Sequence, residues 1–225
     1  MISPTVEEYL ETIHRLEQAV EGAVVPLSDL ANSLGISVVS ANQMVRRLEE
    51  RELVTYTPYR GVVLSEEGRE RAATLLRRHR LWERFLTDVL GLPWEEVHEE
   101  ACRLEHATSS AVEGRLADFL GEPATCPHGH PVPTEKGEVA RQESSFLAQA
   151  EPGQAVRVLS VPEQNPELLC YLAGMGFRPG VEVQVEAKAP FGGVLTVRIG
   201  EERHVIASEV AAQVRVQTIH SPERG

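Results

Sequence analysis

No apolar run in this chain approaches the length of a membrane span, and its opening residues do not pass from basic to apolar as an export signal would. Glu7, Glu8 and Glu11 stand there instead. Both absences predict a protein that stays in the cytoplasm and off the membrane. Cysteine is scarce as well. Three widely spaced cysteines in 225 residues make no disulfide framework, and the odd number fits a reducing compartment. There is no HExxH or comparable arrangement, whereas a metallohydrolase needs an open coordination position and a positioned base. Enzymatic activity is not expected.

The net charge of −12 argues at first against a nucleic-acid partner, but its distribution matters more than its total. Residues 1–80 carry ten arginines against twelve acidic groups, residues 81–150 five basic against thirteen acidic, and residues 151–225 seven against nine. The acidity gathers in the middle, and the first segment is nearly balanced.

That acidic middle also holds the metal-binding chemistry. Arg69–Leu90 and Trp94–His106 contain no Gly or Pro, so both read as helix. His79 and Glu83, four apart, share one helical face, and His98, Cys102, Glu105 and His106 form a stripe along the next helix. Imidazole, carboxylate and thiolate are the side chains that hold first-row divalent metals. Any one of these residues is readily a surface polar group or a satisfied core side chain. Six in two helical registers are harder to explain that way. His79 also sits in the apolar row of Leu75, Leu76, Trp82 and Leu86, where an imidazole needs a partner.

Before this stretch, residues 4–20 read as a helix, with Val6, Leu10, Ile13, Leu16 and Val20 at helical spacing. Leu27–Leu34 is a short helix, Gly35 a turn, and Ser37 the cap of a second helix whose inward face is Val38, Ala41, Val45 and Leu48. Its outward face is Val39, Ser40, Asn42, Gln43, Arg46 and Arg47. Amides and arginines there can pair with base edges or phosphates. Two alternating strands, Val54–Thr57 and Val62–Leu64, enclose Pro58-Tyr59-Arg60-Gly61. A hairpin with Tyr59 and Arg60 at its tip, directly after a helix-turn-helix, reads as a wing, with Arg60 and Ser37 joining the DNA-binding candidates.

Ser65 caps a long helix over about 66–90. A second helix follows from about Pro93, and a third runs from about Ser109 to Leu120. This much apolar helical surface predicts packing against a second copy, in keeping with the two-fold operators that helix-turn-helix proteins read. Cys126-Pro-His128-Gly-His130-Pro-Val-Pro matches no closed four-ligand spacing and reads as an ordered structural loop. Residues 131–150 read as a polar linker. Beyond it the period becomes two: Ala155–Leu159, Val181–Val185, Val194–Ile199 and His204–Ala207 are strands, a short helix spans about Pro166–Ala173, and the whole suggests a small SH3-like barrel. The expected fold class is therefore mainly α with a small β domain. It has a winged helix-turn-helix at 1–65, a helical dimerisation and metal-binding domain at 66–140, and an SH3-like domain at 150–220.

With both elements in hand, the chain resembles the diphtheria toxin repressor family of metal-dependent transcription regulators, which includes the manganese transport regulators. The resemblance is most specific at R78-H-R-L-W-E-R-F-L-T-D-V-L-G-L and V97-H-E-E-A-C-R-L-E-H, and the winged helix and the C126-P-H-G-H-P-V-P loop support it. It implies an ancillary metal site at His79, Glu83 and His98. It implies a primary, regulatory site at Cys102, Glu105 and His106, completed from the first helix by Glu8, with Glu11 one turn on. The iron-responsive branch has Met where Glu8 stands; the manganese-responsive branch has Asp there and Glu where Cys102 stands. The iron branch's third domain lends a Glu and a Gln to the ancillary site, and the matching region here lies near Asn165 and Leu168, with Glu163, Gln164 and Glu167 close by.

These residues predict a regulator, in all expectation a repressor of metal-homeostasis genes, that binds Mn(II), with Fe(II) a close second and Zn(II) third, and then binds a palindromic double-stranded operator as a homodimer. No small organic ligand is expected. Gathered carboxylates repel without metal, so the first helix swings free; a cation clips it onto the dimer core. Since the stripe residues all precede the linker, the metal response is expected to survive removal of everything after about residue 145. The alternatives are a winged-helix regulator sensing a non-metal ligand and, from another class, a metallohydrolase.

Overall fold

Trp94 decides where the second half of the molecule begins. The Trp94–His106 stretch lacks Gly and Pro, yet residues 94–96 form a turn, with Glu96 N–H donating to the Pro93 carbonyl at 3.0 Å. Helix starts only at Val97. The indole is 5 % exposed and belongs to the core under the β-sheet; burying it outranks the helical propensity of its neighbours. In this computed structural model the described residues are 4–19, 24–140, 142–163 and 165–219, so Val20 and Gln164 of the sequence reading lie outside them.

The chain forms two units. The first comprises Met1–His79, Arg103–Glu113 and Pro133–Val139; the second comprises Arg80–Cys102, Gly114–Val132 and Ala140–Gly225. In the first, α1 (Pro4–Ala19), α2 (Leu27–Ser33) and α3 (Val38–Glu49) precede the hairpin β1 (Val54–Thr57) and β2 (Gly61–Leu64), and α4 (Glu66–Asp88) begins. Gly35, at φ +64°, makes the turn between α2 and α3. Ser37 caps α3 by accepting the Ser40 N–H at 3.1 Å. Ala41, Val45 and Leu48 are fully buried, whereas Val38, expected inside with them, is 48 % exposed in the first turn.

The wing is paired from Val54↔Leu64 to Thr57↔Gly61. It is also fastened to the chain before α2: Val25 and Val62 exchange both backbone hydrogen bonds at 2.9 Å. Gly61, at φ +134°, comes so close to that segment that a Cβ would lie 2.1 Å from the Val25 carbonyl oxygen, so no other residue fits. From α1, the buried Glu17 carboxylate accepts the Leu64 N–H at 2.7 Å and lies 3.5 Å from the Arg69 guanidinium of α4. Val6, Tyr9, Leu10 and Ile13 of α1 share one core with Leu30, Val45, Leu48, Val54 and Val62. The expectation of a freely swinging first helix is therefore corrected: releasing it would expose Val6, Leu10 and Ile13 at roughly 1.5–3 kcal/mol each. It moves with the DNA-reading unit or not at all.

The second unit takes the rest of α4, most of α5 (Val97–Glu105) and of α6 (Ser110–Phe119), and a six-stranded antiparallel sheet. The strands are β3 (Ser145–Phe146), β4 (Ala155–Ser160), β5 (Glu182–Lys188), β6 (Val194–Ile199), β7 (Glu202–Ala207) and β8 (Arg215–Thr218), in the order β3-β8-β4-β5-β6-β7. Helices α7 (Pro166–Gly174) and α8 (Ser208–Ala211) complete it. The expected small SH3-like β domain is built on this six-stranded antiparallel sheet, with β3 and β7 at the two ends of the strand order. Strands β3 and β8 escaped the sequence reading because neither carries a long enough alternating row. The supposed linker at 131–150 is also shorter than expected. Val132 packs with Leu81, Leu116 and Ala117 in a helical core, and Leu147 is fully buried under the sheet. Among the described residues no helix is long and apolar enough to cross a membrane.

Candidate metal centres and nucleic-acid interface

Four donors converge inside the second unit: Glu83 from α4, Cys126 and His128 from the loop after α6, and Glu163 from the connection between β4 and α7. Their ligand atoms all lie within 4.8 Å of one another. Glu83, Cys126 and His128 are at most 1 % exposed. His128 Nδ1 lies 3.3 Å from Glu83 Oε1 and 3.9 Å from Cys126 Sγ. Its other nitrogen, Nε2, is 2.8 Å from the Trp94 carbonyl, which can only accept. That bond fixes the proton on Nε2 in the neutral ring and leaves the Nδ1 lone pair directed at the donor cluster, as a metal-ligating histidine requires. The Trp94 indole stacks on the imidazole, centroids 5.3 Å apart.

The loop is held in place by the sheet. Val161 N–H donates to the His128 carbonyl at 3.0 Å, and His130 Nε2 donates to the Val161 carbonyl at 2.9 Å. Gly129, at φ +88°, leaves no room for a side chain, since a Cβ would stand 1.9 Å from the Leu159 carbonyl oxygen. The loop that reads from sequence as purely structural thus contributes Cys126 and His128 to a four-donor group whose other members are distant in sequence. His130 is a strut, 3.6 Å from Glu163.

The electrostatics suit a cation. Burial pushes the Cys126 thiol well above its ordinary range, and Glu83 and Glu163 push it further while Arg80 opposes them. Burial pulls the His128 imidazole down, but its hydrogen bond and attraction to Glu83, the Trp94 carbonyl and Glu163 outweigh this and leave it raised. The two carboxylates therefore favour positive charge in their midst. Two carboxylates, one imidazole and one thiol in a dry cavity are a fitting set for a first-row divalent ion.

A second group lies in the first unit. His79 Nδ1 donates to Glu105 at 2.6 Å, both 1 % exposed; Glu105 lies 3.4 Å from His106 Nε2; His106 Nδ1 reaches Glu7 at 2.6 Å. The first-helix carboxylate on His106 is thus Glu7, while Glu8 is exposed and Glu11 half-buried. Of the ancillary set implied by resemblance, Glu83 and His98 are 3.6 Å apart, and His79 meets Glu105. His98 Nε2 stands 3.9 Å from Cys102 Sγ, one turn along α5. Glu7 was not anticipated; its only sequence signal is its place one residue before Glu8.

On α3, Ser37, Val39, Ser40, Gln43, Arg46 and Arg47 are exposed, as is Arg60 at the wing tip beside the fully exposed Tyr59. Asn42 departs from the expected outward face: it is half-buried, and its Oδ1 is shut from solvent with no hydrogen-bond partner among the described residues. The Arg46 guanidinium lies over the Tyr56 ring of the wing, 5.5 Å from its centroid.

A wing, an exposed arginine- and glutamine-bearing recognition helix, and buried metal-donor clusters define a metal-dependent DNA-binding protein. Comparison with known proteins agrees. The iron dependent repressor N-terminal DNA binding domain matches residues 1–62, the iron dependent repressor metal binding and dimerisation domain residues 65–134, and the FeoA domain residues 146–218. The iron-dependent repressor IdeR of Mycobacterium tuberculosis is 37 % identical over 227 residues, 96 % of this chain and 97 % of its own. The diphtheria toxin repressor of Corynebacterium jeikeium is 38 % identical over 207 residues, covering 81 % and 85 %. Among solved structures, a manganese-dependent transcriptional repressor in complex with manganese superposes with a TM-score of 0.85 at 31 % identity, covering 95 % of this chain and all of that one. The manganese regulator SloR gives 0.80 at 28 %, covering 97 % and 100 %. The chain belongs to the iron-dependent, diphtheria toxin repressor family: it is a metal-sensing DNA-binding transcriptional repressor, with a dimerisation domain, and not an enzyme.

Proposed function

We propose that this repressor responds to Mn(II) first, Fe(II) second and Zn(II) third. One regulatory centre is Glu83, Cys126, His128 and Glu163; a second is Glu7, Glu105 and His106, with His79 as a neighbouring donor, and His98 and Cys102 are further donor candidates on α5. The observation that carries the reading is the buried four-donor cluster, whose imidazole has its tautomer set for ligation by Trp94. Across the two centres, four carboxylates face one thiol and two imidazoles, which favours a harder ion over one selected by sulfur. Similar structures described as manganese-dependent support Mn(II) as first candidate, and the iron-dependent relatives keep Fe(II) next to it.

When bound, a divalent cation supplies the concentrated positive charge that lets the carboxylates and the thiolate share one cavity. Glu83, the Cys126–His128 loop and Glu163 come from three separate segments, so their joint ligation braces α4, the loop and the β4–α7 connection against one another. Glu7 acts at longer reach. Because α1 is built into the winged-helix core, holding Glu7 on His106 and Glu105 holds α3 and the wing with it. The exposed Val89, Leu90 and Phe119 form the proposed contact with a second copy, and two α3 helices, one from each copy, read a two-fold operator. Gln43 reads a base edge, and Arg46, Arg47 and Arg60 hold phosphates.

The test is a DNA mobility shift against free Mn(II), Zn(II) and, anaerobically, Fe(II), with a chelator control. Mn(II) should act at the lowest free concentration. A response to Fe(II) alone would overturn the metal assignment.

A further inference from the structure

The second unit contains a cleft of about 500 Å³ that shares the Cys126 loop with the four-donor cluster and has Arg84, Arg157 and Arg178 around it. We infer that this cleft binds a phosphate-bearing small molecule.

Its charge is the first argument. The chain carries 34 acidic residues against 22 basic ones, yet no acidic residue lines this cleft and three arginines do. Guanidinium groups present a planar fork of donors that matches phosphate oxygens. The second argument is how the arginines are held. Arg84 donates Nε–H to the Thr125 carbonyl at 2.9 Å, which fixes it from the backbone, and its Nη1 lies 3.3 Å from the exposed Asp88 one turn along α4, a solvent-screened pair that an anion can displace. Arg178 lies over the Trp94 ring, 4.7 Å from its centroid, and has no carboxylate partner among the described residues. Arg157 is matched to Glu182 at 2.9 Å, but both are about half exposed or more, and such a pair gives way to a better anion at little cost. Third, two further donors in the lining lack partners: Trp94 Nε1–H and the Thr87 hydroxyl are buried with no hydrogen bond among the described residues. Unsatisfied buried groups of this kind ask for a missing ligand or water. The volume falls within the range of small-molecule sites.

Isothermal titration of the metal-free, full-length protein tests this, with inorganic phosphate and glycerol 1-phosphate as separate probes and chloride at matched ionic strength. At least one probe should bind saturably at one per chain, and Arg157→Ala/Arg178→Ala should weaken it about tenfold or more. The control pair Arg198→Ala/Arg203→Ala, exposed arginines grouped around Glu186, should leave it unchanged. Tighter binding of inorganic phosphate assigns the site to the free anion; tighter binding of the ester assigns it to a phosphorylated metabolite. The inference is overturned if neither probe saturates in the millimolar range, or if the control pair weakens binding as much as the cleft pair. Circular dichroism of both pairs confirms that the fold is kept.

Discussion

Replacing Glu163 by Gln separates a metal ligand from a merely structural carboxylate, because the two roles give opposite signs. Gln keeps the shape and removes one charge. In the metal-free protein Glu163 lies within 4.8 Å of Glu83, and two carboxylates at that distance repel by about 3.5 kcal/mol at an effective dielectric of about 20. The nearby Arg80 and solvent screening offset much of this, so the variant without metal should be as stable as the wild type or up to about 1 kcal/mol more stable. With metal the effect reverses. Outer-shell lesions alone cost about 10–100-fold in affinity, and losing a charged ligand should cost at least the upper figure. At saturating metal a 100-fold loss removes about 2.7 kcal/mol of ligand stabilisation, which for a chain of this size shrinks the metal-induced rise in Tm by about 5–11 °C. Thermal melts in chelator and in excess Mn(II) measure both halves. If Glu163→Gln lowers the Tm in chelator and leaves the metal-induced rise intact, Glu163 is a structural residue and the four-donor centre is wrong.

Metal affinity should rise with pH. His128 and Cys126 are both shifted upwards, so each keeps its proton to higher pH than it otherwise would and must release it to ligate. While the imidazole is protonated, two protons leave per ion and the gain is about 2.7 kcal/mol, or ~100-fold, per pH unit; above that it falls to about tenfold. Mn(II) EPR titrations between about pH 6 and 8 would show this, and Cys126→Ala should lower the slope by about one; a flat profile contradicts the assignment. Gln43→Ala should relax sequence preference by about 1–3 kcal/mol at one position, whereas Arg60→Ala should weaken binding to all sequences and reduce the salt slope by about one. Mobility shifts on operator and scrambled DNA at several salt concentrations distinguish them, and unchanged specificity in Gln43→Ala would remove it from base reading. Finally, removing everything after about residue 145 should weaken the metal response at least tenfold, since it takes away Glu163 and uncovers Trp94. A full metal response from the truncated chain in the same shift assay would restore the independence that the sequence implied.

The local elements were legible because each rests on a short-range signal. Helical spacing, the Ser37 cap, Gly35 and the Pro58–Gly61 hairpin announced the winged helix, and only Val38 and Asn42 of α3 face differently from the reading. The same periodicity placed His79 and Glu83 on α4 and His98, Cys102 and Glu105 on α5, while His106 stands in the turn just after it. Where long-range packing decided, the reading stopped short. The start of α5 at Val97 follows from the burial of Trp94 in a sheet that begins some fifty residues later. Strands β3 and β8 exist because each lies along another strand, not because of any pattern of their own.

By itself, then, the sequence determined the class of protein: a winged helix, a metal-rich helical segment and a β-rich third domain, all carried by neighbours along the chain. The grouping of donors was decided only in three dimensions. Cys126-Pro-His128 has no four-ligand spacing, and it joins a four-donor group only because the sheet, through Val161 and the Gly129 approach to Leu159, holds the loop near Glu83 and Glu163. The choice of Glu7 over Glu8 was likewise tertiary. Adjacent helical residues point about 100° apart, and the orientation in which α1 buries Tyr9, Leu10 and Ile13 is what puts Glu7 on His106 and leaves Glu8 in solvent.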